Sequence, residues 1–243
     1  MKLFKTVVVL DYMDNTKKIS IIIPVYNEKR TILEVIKRVE ESDTLGLEKE
    51  VVLVDDGSTD GTKDVLKRLE NKYLIIYHPK NLGKGAALRS GFQAAKGDII
   101  LMQDSDLELN PHDYPQLLKP VLEQKSDVIS GNRYSGDNPR FYFMHYYGGK
   151  LLSWLTNLFY GSKLSDICCG YKVFESSVLK NLDLKSNGFE IEEELTIKIL
   201  KRGYKILEVP IAYHPRTYQE GKKTRWHDGL KAIWLIIKYK FVN

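Results

Sequence analysis

Cysteine is scarce in this chain: two occur among 243 residues, and they are neighbours, Cys168 and Cys169. Adjacent cysteines are strained as a disulfide and match no common zinc spacing. The pair therefore reads as reduced, which suits the cytosol. The five histidines show no metal spacing, and each, His145 included, reads as structural. No apolar run approaches the about 18 residues of a membrane-crossing helix. The opening KLFKTVVVLDYMD places basic residues before an apolar run. That run is too short for a typical signal peptide and has no small-residue cleavage site. Repeats, low-complexity linkers and dense basic tracts are all missing, so the net charge of +5 does not point to nucleic acid. Gly83-Lys84-Gly85 fits neither the phosphate-loop spacing nor the dinucleotide fingerprint.

What is present is alternation. KKISIIIPVYNE carries an apolar strand, Ile19 to Ile23, stopped by Pro24. RTILEVIKRVEE then sets Ile32, Val35, Ile36 and Val39 at helical spacing. Further strands are expected at VVLV (51–54), YLIIYH and DIILMQ, with helices at TKDVLKRLENK and in the small-residue segment GKGAALRSGFQAAKG. Continuous apolar strands alternating with helices predict an α/β fold with a mostly parallel sheet flanked by helices. Such sheets bind ligands beyond the carboxyl ends of their strands. The turns at 24–28, 55–59, 78–85 and 103–108 are therefore the places to look.

The second half is less regular. HDYPQLLKPVLEQ reads as a helix ending or interrupted near Pro120, and DVISGNRY as a strand with a polar end. NGFEIEEELTIKILKRG reads as an amphipathic helix with an acidic start, which its dipole favours. A strand, YKILEVPIAYH, precedes a basic loop, PRTYQEGKKTR, and a final amphipathic helix. One domain is expected over residues 19–243, after an extension at 1–18. Residues 19–132 form its nucleotide-binding half and 133–243 its acceptor half.

Asp104-Ser105-Asp106 follows a buried strand at the binding edge. Hard divalent cations favour carboxylate oxygens there; the plain alternative is a polar turn. Asp55 and Asp56 end the second strand, either as a capped turn or as acceptors for a nucleobase N–H or ribose hydroxyl. Tyr26 and Glu28 end the first. Lys84, at a helix amino end, can meet an anion, while its flanking glycines equally suit tight packing. Arg216, Lys222, Lys223 and Arg225 face one acid, Glu220, in a loop next to a helix bearing Trp226, Leu230, Ile233, Trp234, Ile237 and Phe241. That pair of elements suits either a membrane surface or the core.

SIIIPVYNE, VVLVDDGSTDGT, KNLGKGAALRSGF, MQDSDLE, VISGNRY, DICCGYKVF, GFEIEEELTIKIL and RTYQEGKKTRW follow one another from residue 20 to 226. Together they resemble the family-two, GT-A-type glycosyltransferases, a resemblance that runs from about residue 19 to 241. More narrowly they are similar to dolichyl- and polyprenyl-phosphate sugar transferases such as dolichol-phosphate mannosyltransferase. The resemblance implies a Rossmann-like GT-A fold and a UDP- or GDP-linked sugar donor. Pro24, Tyr26, Glu28 and Asp55 then line the base and ribose. Asp104 and Asp106 hold Mg²⁺ or Mn²⁺ against the diphosphate, with Glu108, where many members carry Gln, as a further ligand. Arg133 meets an acceptor phosphate, with Lys150 and Ser153 nearest to the second basic position of the family. Arg216, Lys222 and Lys223 match a loop that closes over the diphosphate.

The implied reaction is an inverting, metal-dependent transfer to dolichyl or polyprenyl phosphate. A lipid phosphate is already anionic and needs cations rather than a base; a hydroxyl of a glycan, lipid or cell-wall precursor needs a base, for which Glu190, Glu192, Glu193 and Asp166 are available. A silent nucleotide-sugar binding protein is the third reading. Many polyprenyl-phosphate transferases carry carboxyl-terminal membrane helices, where this chain has one amphipathic helix. The expectation is a peripheral enzyme on the cytosolic face of a membrane, with a membrane-protein partner possible.

Overall fold

The computed structural model describes residues 17–135, 138, 139, 143–180, 182–217 and 219–242. The extension expected at 1–18 lies outside them except for Lys17 and Lys18, and Lys18 is already a strand residue paired with Glu48. Strands β1 (Lys18–Val25), β2 (Glu48–Asp55), β3 (Leu74–Tyr77) and β4 (Ile99–Met102) are joined by helices α1 (Ile32–Glu41), α2 (Thr62–Lys67) and α3 (Lys84–Ala94). A 3₁₀ turn at Pro111–Asp113 and α4 (Tyr114–Leu122) lead to β5 (Val128–Asn132) and α5 (Phe143–Tyr160). The chain continues through β6 (Lys172–Glu175), the single-turn α6 (Ser176–Leu179), α7 (Ile191–Lys201), β7 (Ile206–Pro210) and α8 (Trp226–Phe241).

Among the described residues these strands form one sheet in the order β3-β2-β1-β4-β6-β5-β7. It is parallel except where β6 pairs with β4 and β5. The two expected halves therefore share one sheet, because β6 from the second inserts beside β4 of the first. β1 is buried along nearly its whole length, which explains its unbroken apolar run. The strand order reverses between β1 and β4, and a crevice opens there beyond the carboxyl ends. α3 makes the crossover that returns the chain to β4. It lies close on the sheet because Gly91 has no Cβ: one placed there would sit 2.3 Å from Ile22 Cγ2. Two apolar clusters cover the two sheet faces. A third lies under α5, α7 and α8.

α4 ends at Leu122, two residues past Pro120, close to where the sequence ends or interrupts it. One expectation changes. α7 is not a half-solvated amphipathic helix. Glu192, Glu193 and Glu194 in its first turn are buried, each with partners from neighbouring segments. Glu194 accepts from the backbone N–H groups of Lys185 and Ser186, from Tyr239 Oη at 2.7 Å, and pairs with Lys198 at 2.7 Å. Burial opposes its charge, but these bonds hold its carboxyl down at about 2, against an ordinary 4.5. A depressed carboxylate stabilises the fold fully above its ordinary range and loses that contribution as pH falls toward 2. Between pH 5 and 2 the native chain is expected to lose roughly 3 kcal/mol more stability than Glu194→Gln. Urea unfolding at the two pH values checks this, and equal losses contradict it.

Candidate active site

A cavity of about 1250 Å³ opens at the strand reversal and extends toward α5 and α8. The turn after β4 forms one wall. Ser105 Oγ donates to Pro24 O at 2.9 Å and Thr31 Oγ1 to Ser105 O at 2.8 Å, fastening the turn to the end of β1. Leu107 takes the left-handed conformation, φ 64°, and Glu108 N donates to Asp106 Oδ1. Asp104 and Asp106 are both brought to the cavity this way. Gly170, in the loop before β6, packs on Asp104: a Cβ there would lie 2.2 Å from Asp104 Oδ2.

The acids meet cations from two directions. Lys84 Nζ bridges Asp104 Oδ1 and Glu192 Oε1, each at 2.6 Å. Burial works against its charge, yet these two carboxylates raise its pKa. From the other side comes the basic loop. Arg216 Nη1 lies 3.0 Å from Glu28 Oε1, and Nη2 2.9 Å from Asp106 Oδ2. Lys223 Nζ pairs with Glu28 at 2.6 Å and donates to Tyr26 O. Acid remains in excess around Asp106: burial, with Asp104 and Glu108 nearby, pushes its carboxyl up to about 7 despite Arg216.

Glu108, expected as a further ligand, meets the basic loop in this structure. It accepts from Arg216 N at 2.8 Å and Tyr213 Oη at 3.1 Å, and Lys222 Nζ lies 3.4 Å away. Glu108 thus anchors the basic loop, and among the described residues no three acids, histidines or cysteines gather as a metal cluster. Asp104 and Asp106 still suit a hard divalent cation. They supply carboxylate oxygens on one cavity wall, each now paired with a cation that a metal ion can replace, and Mg²⁺-type sites commonly use one or two carboxylates plus substrate phosphates.

Pro24, Tyr26 and Glu28 line the same cavity. Asp55 lies at the end of β2, fully buried, and its Oδ2 has no hydrogen-bond partner. A buried carboxylate oxygen left unmet is costly; Asp55 itself does not line the cavity, whereas the next residue, Asp56, does. Asp56 has a structural task that pattern reading left open. It accepts from Leu82 N and Gly83 N, and from His78 Nδ1 at 2.7 Å, while His78 Nε2 meets Ser90 Oγ at 2.9 Å. This chain of bonds fixes the loop entering α3. Gly83 and Gly85 press on the backbone of Asn187 and Ser186, so the packing reading holds for the glycines while Lys84 between them faces the acids.

On the acceptor side, Arg133 is locked onto Asp166. Nε and Nη2 donate to its two oxygens at 2.8 Å, and Arg133 N donates at 3.0 Å. Burial raises the Asp166 carboxyl, but Arg133 more than reverses this and its pKa is lowered. The guanidinium also stacks on Tyr213, 5.2 Å from its centroid. Lys150 Nζ sits 4.3 Å over the Tyr134 ring. Ser153 turns away, donating to Gly149 O and accepting from Ile167 N. His145, expected to be structural, lines the cavity; burial and then the Lys222 charge lower its pKa. Glu193 is buried beside Glu192 and is pushed up to about 7. No spacing pattern flagged the Arg133–Asp166 or Lys84–Glu192 pairs, whose members lie 33 and 108 residues apart.

Comparison with known proteins gives the family and the fold. Residues 20–183 match the model of Glycosyl transferase family 2. An uncharacterized protein of Methanocaldococcus jannaschii is 30% identical over 233 residues, covering 93% of each chain. The dolichol-phosphate mannosyltransferase of Pyrococcus furiosus is 31% identical over 232 residues, which are 92% of this chain and 64% of that enzyme. This chain thus spans less than two thirds of the mannosyltransferase's length. Glucosyl-3-phosphoglycerate synthase of Mycobacterium tuberculosis, solved with UDP, superposes with a TM-score of 0.73 at 21% identity, over 93% of this chain and 81% of the other. At that identity the likeness concerns the fold, which is GT-A. The family match runs from β1 past β6, through every turn that builds the acidic wall, and the protein is a glycosyltransferase of family 2.

Proposed function

We propose that the protein transfers a sugar, with inversion, from a UDP- or GDP-linked donor to dolichyl or polyprenyl phosphate, using Mg²⁺ or Mn²⁺. One observation carries the choice of acceptor. Among the four acids available as a base, Asp166 is tied to Arg133 by three bonds and Glu192 to Lys84. Glu190 Oε1 accepts from Gly188 N, and its Oε2, on the cavity lining, is buried without a partner among the described residues. The acceptor side instead offers cations, which suit a nucleophile that is already anionic.

The chain's own residues then divide the work. Pro24, Tyr26 and Glu28 line the pocket of the base. Asp104 and Asp106 hold the cation, which when bound stabilises negative charge on the departing diphosphate. Arg216, Lys222 and Lys223 exchange their present acidic partners for the diphosphate and stabilise the same charge. Arg133 orients the acceptor phosphate on the opposite face of the sugar, so attack inverts the anomeric carbon. Support comes from relatives. The Pyrococcus enzyme is named for dolichol phosphate, and the mycobacterial synthase was solved with Mn²⁺, UDP-glucose and phosphoglyceric acid, a phosphate-bearing acceptor.

Glu193 favours a second reading. It lines the cavity with its carboxyl near 7, which suits a general base for a hydroxyl acceptor. Purified protein with Mn²⁺, labelled UDP- and GDP-sugars, and either polyprenyl phosphate or polyprenol separates the two. Product with the phosphate alone is expected; equal product with the alcohol favours the Glu193 reading.

Work at a membrane surface belongs to the same proposal. No described helix is long and apolar enough to cross a membrane. However, Trp154 and Trp234 are 58% and 62% exposed on the neighbouring helices α5 and α8. Replacing both by Ala is expected to lower co-sedimentation with anionic vesicles about ten-fold or more. Unchanged binding contradicts that seating.

A further inference from the structure

Lys172, at the start of β6, is a buried cation whose ammonium meets carbonyls rather than a carboxylate. It is 1% exposed, and its Nζ donates to Ile167 O at 3.0 Å and to Cys169 O at 2.9 Å. Asp166 and Glu193 feel its charge without touching it. A charge buried in this way is costly, so packing alone is better served by an apolar side chain. What the two bonds do is shape the loop before β6. They draw two carbonyls toward the ammonium, which is not on the cavity lining. No described peptide bond is cis, and in a planar trans peptide the N–H points opposite to the carbonyl. The N–H groups of Cys168 and Gly170 therefore point away from Lys172. Both residues line the cavity, and Gly170 has only backbone to present there. Among the described residues neither N–H has an acceptor. The loop starts at Asp166, which holds Arg133, and reaches Gly170, which packs on Asp104. The two donors thus sit on a loop that joins the acceptor arginine to the acidic wall.

We infer, resting on the phosphate-acceptor reading above, that Cys168 N and Gly170 N, held outward by Lys172, form a cradle for the acceptor's phosphate. Backbone N–H groups aimed into one space select an anion. Arg133 needs that help. Its Nε and Nη2 are spent on Asp166, whose charge offsets its own. The departing diphosphate is served elsewhere, by the cation and by Arg216, Lys222 and Lys223. Backbone donors fixed in advance by a buried lysine also lose little freedom when the phosphate arrives. Lys172 is accordingly a positioning residue, acting through two peptide groups and touching no substrate.

The scarcity of cysteine makes the cradle directly readable. Protein labelled with ¹⁵N in cysteine alone gives two backbone amide signals, Cys168 and Cys169, which Cys169→Ala assigns. A phosphate of two isoprene units, the corresponding alcohol, and Mg²⁺ with UDP are titrated in separately. The Cys168 amide proton is expected to move downfield with the phosphate alone, and the Cys169 proton to move less. Lys172→Met, which removes the charge and keeps an unbranched side chain, is then compared with the native chain at steady state. The KM for polyprenyl phosphate is expected to rise about ten-fold or more, as for one lost hydrogen bond to a charged group, with the donor's KM unchanged. A melting curve establishes whether the variant folds, and the native amide signal decides where it does not. A Cys168 signal that the phosphate leaves in place, or that the alcohol or Mg²⁺ with UDP moves equally, overturns the cradle. So does a rise of both KM values together, and each of these outcomes leaves the phosphate reading standing. A native chain that glycosylates polyprenol and not the phosphate overturns that reading and the cradle with it.

Discussion

Asp106→Ala is expected to lower sugar transfer about 1000-fold while leaving the chain folded. In the proposed chemistry Asp106 shares the cation with Asp104, and losing a group aimed at developing charge typically costs two to three orders of magnitude. The cost to the fold is small, because the carboxylate bonds only Glu108 N and Arg216. Both remain tied, Arg216 to Glu28 and the Glu108 side chain to Arg216 N. Steady-state rates across a Mn²⁺ titration, with a melting curve, check this. Near-native turnover with metal still required places the cation elsewhere.

Arg216→Ala is expected to act in two directions. Transfer falls about 100-fold or more, through loss of a cation on the departing diphosphate. Meanwhile Mn²⁺ binding without donor becomes tighter. Arg216 now occupies Asp106 and Glu28 at 2.9 and 3.0 Å, so a metal ion must compete with a guanidinium for Asp106. Removing that competitor leaves the acids in greater excess. Arg216→Lys is expected to recover only part of the rate, since an ammonium lacks the planar fork that sets Nη1 on Glu28 and Nη2 on Asp106. Calorimetric titration with Mn²⁺ reads the second effect. Weaker metal binding in Arg216→Ala contradicts it.

The sheet was legible in the sequence because buried parallel strands advertise themselves. Ile19–Ile23 and Val51–Val54 are unbroken apolar runs ending in polar turns, and the structure stacks those turns on one edge. The acidic pair was legible for the same reason, as charge directly after a core strand. Less visible was what each charge meets. Glu108 looked like one more ligand beside Asp106, but a left-handed Leu107 re-aims the chain and sends it to the basic loop. The acids of α7 read as an acidic helix start or as available bases, and nothing in their spacing showed that they are buried. Only the packing of Tyr239, Lys198 and Lys84 shows why they stay inside. His145 carried no pattern at all, and its place in the cavity depends on where α5 docks.

The acceptor is tested most directly by the bond that forms. A donor labelled with ¹³C at the anomeric carbon is turned over with polyprenyl phosphate and Mn²⁺, and the extracted lipid is read by NMR. A phosphate acceptor predicts a labelled carbon coupled to the lipid's ³¹P, with the anomeric configuration opposite to the donor's. A labelled lipid carbon without phosphorus coupling, or with retained configuration, contradicts it.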